Sequence, residues 1–84
     1  MLTTLRQQMD MVDQEILTLL RARMDISRQM GEYKKENNLP VPDSSRWEEA
    51  QNMRRNKAKE LGLDEDLVVS LYDIIHEHSK AQQN

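Results

Sequence analysis

The chain has 84 residues, of which 37% are hydrophobic and 32% are charged, and it holds two glycines, two prolines and no cysteine. Such a composition is typical of one small helical domain without disulfides, too small to bury a large core of its own. The net charge of −3, with both signs interleaved, argues against nucleic acid as the main partner, and no apolar run is long enough to span a membrane.

A long first helix is predicted over residues 3–36, with Thr3 or Thr4 as its N-terminal cap. Its apolar residues recur at alternating steps of three and four, which is the heptad spacing of a helix that packs along another helix. Arg23 interrupts this series, and because an unpaired guanidinium among apolar residues is costly, an anionic group is expected beside it. The apolar seam consists of Leu2, Leu5, Met9, Val12, Ile16, Leu19, Ile26, Met30 and Tyr33.

The length of this helix predicts a homodimer. Thirty-odd residues span ~50 Å, whereas a compact domain of this size has a diameter of roughly 30 Å. The rest of the chain therefore cannot cover the apolar seam, and a second copy is the simplest cover because homodimers are the commonest oligomers. The alternatives are a helix that breaks near Gly31 and a chain that is a fragment of a larger protein.

Cationic side chains on the same helix are candidates for an anion site. Arg23 and Lys34 are eleven residues apart, so they share a face and lie ~16 Å apart along the axis. Arg6 lies ~26 Å from Arg23 and would join that site only from the partner subunit of an antiparallel dimer. These cations suit a small dianion, since arginine binds a carboxylate through two parallel donors. The alternative is pairing with internal carboxylates, such as Glu15 or Asp25 near Arg23.

A turn is predicted over residues 37–43, because the sequence NNLPVPD holds two asparagines and two prolines. The second helix is predicted over residues 44–61, with Ser45 or Asp43 as its cap and Gly62 as its C-terminal glycine. Its apolar stripe is thin, so this helix is expected to cover a core rather than to form one.

Two groups of cations lie on the second helix. Arg46, near its start, is a further candidate for the anion site. The basic cluster in its second half is flanked by glutamates and is interpreted as a solvated helix face. That cluster consists of Arg54, Arg55, Lys57 and Lys59.

The third helix is predicted over residues 64–82, with Asp64 as its cap. It carries the densest apolar stripe of the chain, and the same face continues as the polar residues Ser79 and Gln83. An apolar stripe with a polar end is typical of a cavity mouth, and fraying of a C-terminus is the alternative. The stripe consists of Leu67, Val68, Leu71, Tyr72, Ile74 and Ile75.

The usual catalytic motifs are missing from the sequence: it has no Ser–His–Asp set, P-loop or glycine-rich fingerprint. His76 and His78 point some 200° apart on a helix, whereas a metal pair needs a spacing of four, so both are interpreted as surface residues. No metal ion and no cofactor is expected. The N-terminus lacks the apolar segment of a signal peptide, which predicts a cytoplasmic protein.

A series of residues along the chain follows, in order and spacing, the pattern of one known family: Leu5-Arg6, Leu19-Leu20-Arg21-Ala22-Arg23-Met24-Asp25, Gly31-Glu32-Tyr33-Lys34-Lys35, Pro40-Val41, Asp43, Arg46, Ile74-Ile75-His76-Glu77, Ser79 and Gln83. It resembles the small all-helical chorismate mutases without a gap over nearly the whole chain. The resemblance implies one all-α domain over residues 1–84, in an intertwined homodimer of three-helix chains whose two active sites are each built from both subunits.

The resemblance also implies the reaction, which is the rearrangement of chorismate to prephenate in the biosynthesis of phenylalanine and tyrosine. A unimolecular pericyclic shift needs no nucleophile, because it requires only a compact substrate conformer and stabilisation of charge on the ether oxygen. By position, Arg23 and the partner subunit's Arg6 would bind the two substrate carboxylates. Lys34 would contact a carboxylate and the ether oxygen, and Gln83 would donate a second hydrogen bond to that oxygen.

Three further positions are implied to bind substrate: Asp43 through its backbone at the ring hydroxyl, and Arg46 and Ser79 at a carboxylate. One position departs from the family, since Trp47 stands where many of these mutases have a glutamate for the ring hydroxyl. Glu48 follows it but is turned by ~100° on a helix, so Glu48 is not assumed to substitute. The run Arg-Trp-Glu-Glu is similar to the variant of this domain that is fused to a DAHP synthase, so fusion to or association with another enzyme of the pathway is a further expectation.

Two alternatives stay open on the sequence. Isochorismate-pyruvate lyases share the fold and the cationic set, and they also lack that glutamate. A non-catalytic helical dimerisation or regulatory module is the other alternative, although the presence of Arg23 and Lys34 favours an enzyme.

Overall fold

The computed structural model describes residues 1–40 and 44–83, which form three helices: α1 (Leu2–Glu36), α2 (Ser44–Leu61) and α3 (Glu65–Gln83). The predicted all-α class with a long first helix is confirmed. Part of the predicted turn and the proposed cap at Asp43 lie outside the described residues. No helix in the described part of the chain is long and apolar enough to cross a membrane.

Helix α1 is continuous over 35 residues, so the alternative of a break near Gly31 is wrong. It begins at Leu2 with Met1 as the N-cap residue and without a side-chain cap, which corrects the prediction that Thr3 or Thr4 caps it. The first hydrogen bond of the helix runs from the N–H of Leu5 to the carbonyl oxygen of Met1 at 3.0 Å.

The C-terminus of α1 is closed by a Schellman motif. Asn38 adopts a φ of 54°, a left-handed conformation that asparagine tolerates better than most residues. The N–H of Leu39 then donates to the carbonyl oxygen of Lys34 at 2.7 Å, and the N–H of Asn38 donates to that of Lys35 at 3.4 Å. This closure ends the helix directly after the residues that face α3.

The connection between α2 and α3 follows the local signals in the sequence. Gly62 has a φ of 70°, and the N–H of Leu63 donates to the carbonyl oxygen of Ala58 at 2.8 Å, which is again a Schellman closure. Asp64 caps α3 as predicted, since its Oδ1 accepts hydrogen bonds from the N–H groups of Asp66 at 2.8 Å and Leu67 at 3.4 Å.

The single chain has very little core. Helix α3 packs against α1 and α2, yet Ala58 is the one buried hydrophobic residue in the described part of the chain. The other buried residues there are small: Ser27, Gly31 and Ser79. The chain extends over 55 × 24 × 16 Å with a radius of gyration of 15.8 Å, whereas a compact domain of this length would have ~12 Å.

Most large apolar side chains face away from the chain's own helices. The seam of α1 is exposed along its length: Met9 is 62%, Leu19 is 68% and Tyr33 is 61% accessible. On α3, Val68, Tyr72 and Ile75 are half-buried within the chain, while a second apolar face stays exposed. That second face consists of Leu67, Leu71 and Ile74.

Candidate active site

A cavity of about 250 Å³ lies between the C-terminal half of α1, the first half of α2 and the end of α3. Five of the residues that line it are cationic, namely Arg23, Lys34, Arg46, Arg54 and Lys80. The remaining lining residues are Ile26, Ser27, Met30, Trp47, Ala50, His76, Ser79 and Gln83. Acidic side chains are absent from the lining within the described residues, so the cavity suits an anion.

Arg23 is half-buried where α1 meets α3. Its Nη1 donates to the hydroxyl of Ser79 at 2.8 Å, and its guanidinium lies 5.5 Å from the ring centre of Tyr72. The alternative of an internal ion pair with Asp25 is wrong, because that carboxylate pairs with Arg21 at 3.2 Å and Arg28 at 3.4 Å. Within the described residues no carboxylate pairs with Arg23, which leaves its charge for an anion in the cavity.

A chain of hydrogen bonds links the end of α3 to α1. The ammonium of Lys34 donates to Oε1 of Gln83 at 3.0 Å, and Nε2 of Gln83 donates to the hydroxyl of Ser27 at 3.3 Å. Ser27 in turn donates to the backbone carbonyl oxygen of Ser79 at 3.3 Å. These bonds bring Lys34 and Gln83 together at one end of the cavity, with Arg23 and Ser79 beside them.

Helix α2 contributes an aromatic and cationic wall to the cavity. The guanidinium of Arg54 lies 4.1 Å from the ring centre of Tyr72 and 5.4 Å from that of Trp47. Burial, and secondarily the charge of Arg23, lower the pKa of Arg54. The interpretation of Arg54 as part of a solvated face is therefore wrong, although its cluster neighbours Arg55, Lys57 and Lys59 are exposed.

His76 belongs to the same wall, so its interpretation as a surface residue is wrong. Its ring stacks on Trp47 with 4.0 Å between ring centres and 28° between ring planes. Burial lowers the pKa of His76, and the charges of Lys80 and Arg54 lower it further. A lowered pKa keeps the imidazole neutral at physiological pH. His78, by contrast, is exposed.

The two remaining lining cations lie at the rim and pair with glutamates. Arg46 is 3.6 Å from Glu49, and Lys80 is 3.0 Å from Glu77. The hydrogen bond from Lys80 and its charge lower the pKa of Glu77. Exposed pairs of this kind add little stability, so the pair with Glu77 lets Lys80 turn toward a ligand at modest cost.

Two of the predicted residues, Arg6 and Glu48, do not line this cavity. Arg6 is exposed on the N-terminal half of α1, ~26 Å along the helix from Arg23. Glu48 is exposed and does not line the cavity, which agrees with the expectation that it does not substitute for the residue at position 47. Asp43 lies outside the described residues.

Four polar or aromatic residues of the lining were not among the predicted site residues: Ser27, Arg54, His76 and Lys80. Tyr72, which lies against Arg23 and Arg54, was not predicted either. A helical signal for two of them exists, because Ser27 lies four residues after Arg23 and His76 lies three residues before Ser79. The position of Arg54 between Tyr72 and Trp47 depends on how α2 packs on α3, which no single-helix pattern carries. Within the described residues no cluster of three or more potential metal ligands exists.

The chain matches the family model described as chorismate mutase type II over residues 5–84. It is 29% identical over 82 residues to the chorismate mutase of Methanocaldococcus jannaschii, a match that covers 98% of this chain and 83% of that protein. It is 31% identical over 74 residues to a 4-amino-4-deoxychorismate mutase of Streptomyces venezuelae, with 88% of this chain and 72% of that protein covered.

A longer relative is the T-protein of Enterobacter agglomerans, to which the chain is 32% identical over 83 residues. That match covers 99% of this chain but 22% of the T-protein. No solved structure matches the chain significantly.

Proposed function

The chain belongs to the chorismate mutase type II family, and we propose that the cavity between its three helices is where it converts chorismate to prephenate. The chain is thus an isomerase of aromatic amino-acid biosynthesis. The observation that carries the proposal is the convergence of Arg23, Lys34 and Gln83 on one cavity without a lining carboxylate in the described residues.

The reaction fits the kind of side chains that line this cavity. Chorismate carries two carboxylates, and its rearrangement breaks one carbon–oxygen bond of the ether while one carbon–carbon bond forms. The rearrangement is a concerted pericyclic shift within one molecule, so it needs no nucleophile, base or co-reactant. It does need the two reacting ends held close together and donors aimed at the ether oxygen, where negative charge develops.

We assign the roles as follows. Arg23 binds one substrate carboxylate, and its bond to Ser79 holds the guanidinium on the α3 side of the cavity. Lys34 and Gln83 donate to the ether oxygen; their mutual hydrogen bond of 3.0 Å supports this, because both groups lie within reach of one point. Arg46 adds charge at the rim. A backbone contact of Asp43 with the ring hydroxyl stays a prediction from the family.

We propose further that the working enzyme is a homodimer in which the partner subunit's Arg6 completes each site. The exposed seam of α1 and the exposed face of α3 support a dimer, since one chain does not bury either surface. The distance of ~26 Å between Arg6 and Arg23 on one helix means that only a second chain would bring them together. Fusion to or association with another enzyme of the pathway stays a prediction.

The test is product analysis with two substrates. The purified chain is incubated separately with chorismate and with isochorismate, and the products are identified by chromatography. We expect prephenate from chorismate at a catalytic rate. The Lys34→Ala variant, purified in the same way, is the control against a contaminating mutase. Salicylate and pyruvate from isochorismate, with slow prephenate formation, would instead assign the cavity to the lyase reaction.

A further inference from the structure

We propose that Ser27 and Gly31 are positioning residues for the amide of Gln83: Ser27 sets which way the amide faces, and Gly31 sets how close it lies to α1. This inference rests on the proposed role of Gln83 as a donor to the ether oxygen. Both residues are buried on α1, four residues apart, against the last turn of α3.

The orientation of the amide follows from counting donors and acceptors. Lys34 has only donors, so the group that faces it must be the carbonyl oxygen, and Oε1 of Gln83 accepts from it at 3.0 Å. The hydroxyl of Ser27 has one proton, which it donates to the carbonyl oxygen of Ser79. Its lone pairs are therefore left to accept from Nε2 of Gln83 at 3.3 Å.

A flipped amide would turn its NH₂ group toward the ammonium of Lys34, so two donors would meet and that hydrogen bond would be lost. Its oxygen could accept from Ser27 only if the hydroxyl turned away from the carbonyl oxygen of Ser79, so a second hydrogen bond would be given up in exchange. In the observed orientation one N–H of Gln83 is used on Ser27 and the second stays available for a ligand. Ser27 thus holds the amide in the orientation that a donor to the ether oxygen requires.

Gly31 acts through its lack of a side chain rather than through hydrogen bonds. A Cβ at this position would lie 2.5 Å from Cα and 2.8 Å from the carbonyl oxygen of Gln83. Both are backbone atoms, so no side-chain rotation would relieve the contact, and the last turn of α3 would have to move. Glycine is less favourable than alanine inside a helix, which makes close approach the physical reason for its place in α1.

The decisive experiment is a double-mutant cycle on turnover of chorismate. We expect Ser27→Ala to lower kcat about threefold to tenfold with little change in KM, as for the loss of one neutral hydrogen bond. In a Gln83→Ala background the same substitution should cost nothing further, because the group it orients is gone. Ser27→Thr keeps a hydroxyl and should recover most of the lost kcat.

Gly31→Ala provides the second arm. We expect it to lower kcat at least about tenfold, because displacement of a positioned donor is costly, while far-ultraviolet circular dichroism shows helix content that is unchanged or higher. Gln29→Ala, at an exposed position of the same helix, is the matched control and should leave kcat unchanged. The Ser27 cycle requires no backbone movement, so it decides the proposal even where Gly31→Ala disturbs folding.

A readout without substrate separates this inference from the proposed function. The side-chain NH₂ resonances of Gln83, identified by their loss in Gln83→Ala, should shift in the free Ser27→Ala protein and stay in place in Gln29→Ala. Equal losses of kcat from Ser27→Ala in both backgrounds, or unshifted resonances, would overturn the inference while leaving the mutase activity intact. Normal turnover by Gln83→Ala would overturn the role of Gln83, and this inference with it.

Discussion

The two halves of α1 carry the same heptad pattern but have different surroundings in the chain. The C-terminal half packs against α3, and its polar side chains find partners there, as Arg23 does at Ser79 and Lys34 at Gln83. The N-terminal half carries an uninterrupted apolar seam that stays exposed, as at Met9 and Leu19. One half thus holds most of the proposed site against α3, whereas the other presents an apolar surface that the single chain does not bury.

This difference separates two roles along one helix. Substitutions in the C-terminal half should remove chemistry and leave assembly intact, because the side chains there are held by α3. Substitutions in the apolar seam of the N-terminal half should remove assembly, and turnover should be lost there as a consequence. Variants in the two halves should therefore lose different properties.

The largest effect is expected from the cations of the C-terminal half. Arg23→Ala and Lys34→Ala should each lower kcat/KM by about 10²- to 10³-fold, since each removes a charged donor aimed at the substrate. Steady-state turnover measures this, and circular dichroism with sedimentation velocity should show unchanged helicity and assembly. Arg21→Ala is the matched control, because Arg21 is 77% exposed on the same helix and pairs with Asp25. Near-normal turnover in either variant would remove the cavity as the site.

A charge in the N-terminal seam should give the second largest effect. Ile16→Asp places a carboxylate on the exposed apolar face, and a buried unpaired charge in a dimer interface costs several kcal/mol. We expect dissociation in sedimentation velocity, reduced helicity and a loss of turnover of about tenfold or more that high protein concentration reverses. Gln7→Asp, on the opposite face of α1, should change none of these.

How far the sequence predicts this arrangement depends on the range of each interaction. Short-range signals give the fold. The left-handed conformation of Gly62 ends α2, and the side chain of Asp64 caps the start of α3. Helical spacing alone places Arg23 and Lys34 on one face. The wall around Arg54 was missed because a run of basic residues on one helix does not reveal which aromatic rings a neighbouring helix brings to it.

The start of α1 shows that a short-range signal does not always decide where a helix begins. Thr3 and Thr4 have the chemistry of a cap, yet the helix begins one residue earlier, with a backbone hydrogen bond from Leu5 to Met1. A capping hydroxyl stabilises a helix terminus by only ~1 kcal/mol. The favourable free energy of extending a long helix from its interior outweighs a capping preference of that size.

A third prediction joins the two halves. Arg6→Ala and Lys34→Ala are each expected to be inactive, but a mixture should regain activity, because a heterodimer has one site with both an intact Lys34 and the partner subunit's intact Arg6. Random exchange of equal amounts should restore about a quarter of normal turnover in a twofold dimer. Subunit exchange is followed with a mass-tagged chain. Exchange without recovery would mean that the two residues do not share a site.

A smaller effect is expected at the wall formed by α2. Arg54→Gln removes a partly buried charge from the cavity lining and should raise KM about threefold to tenfold, with kcat less affected. Trp47 is the only tryptophan, and it lies 5.4 Å from the Arg54 guanidinium, so its fluorescence reports whether the wall has changed. Arg55→Gln, one residue along and exposed, should change neither KM nor fluorescence.

The smallest effect is a pH dependence of stability from His76. Burial and the nearby Lys80 lower its pKa in the folded chain, so the unfolded chain, with a pKa of ~6.5, binds the proton more readily. The contribution of His76 is therefore complete above pH ~6.5 and declines as the pH falls from there toward the lowered pKa. Urea midpoints at pH 8.0 and 5.5 should differ less in His76→Gln than in the unmodified chain.

His78→Gln is the control for that comparison, because His78 is exposed two residues away on the same helix. It should leave the difference between the two midpoints unchanged. An equal effect of both substitutions would mean that the stack on Trp47 does not set the protonation of His76. His76 would then contribute shape to the cavity, and Arg54 would be the residue through which this wall favours an anion.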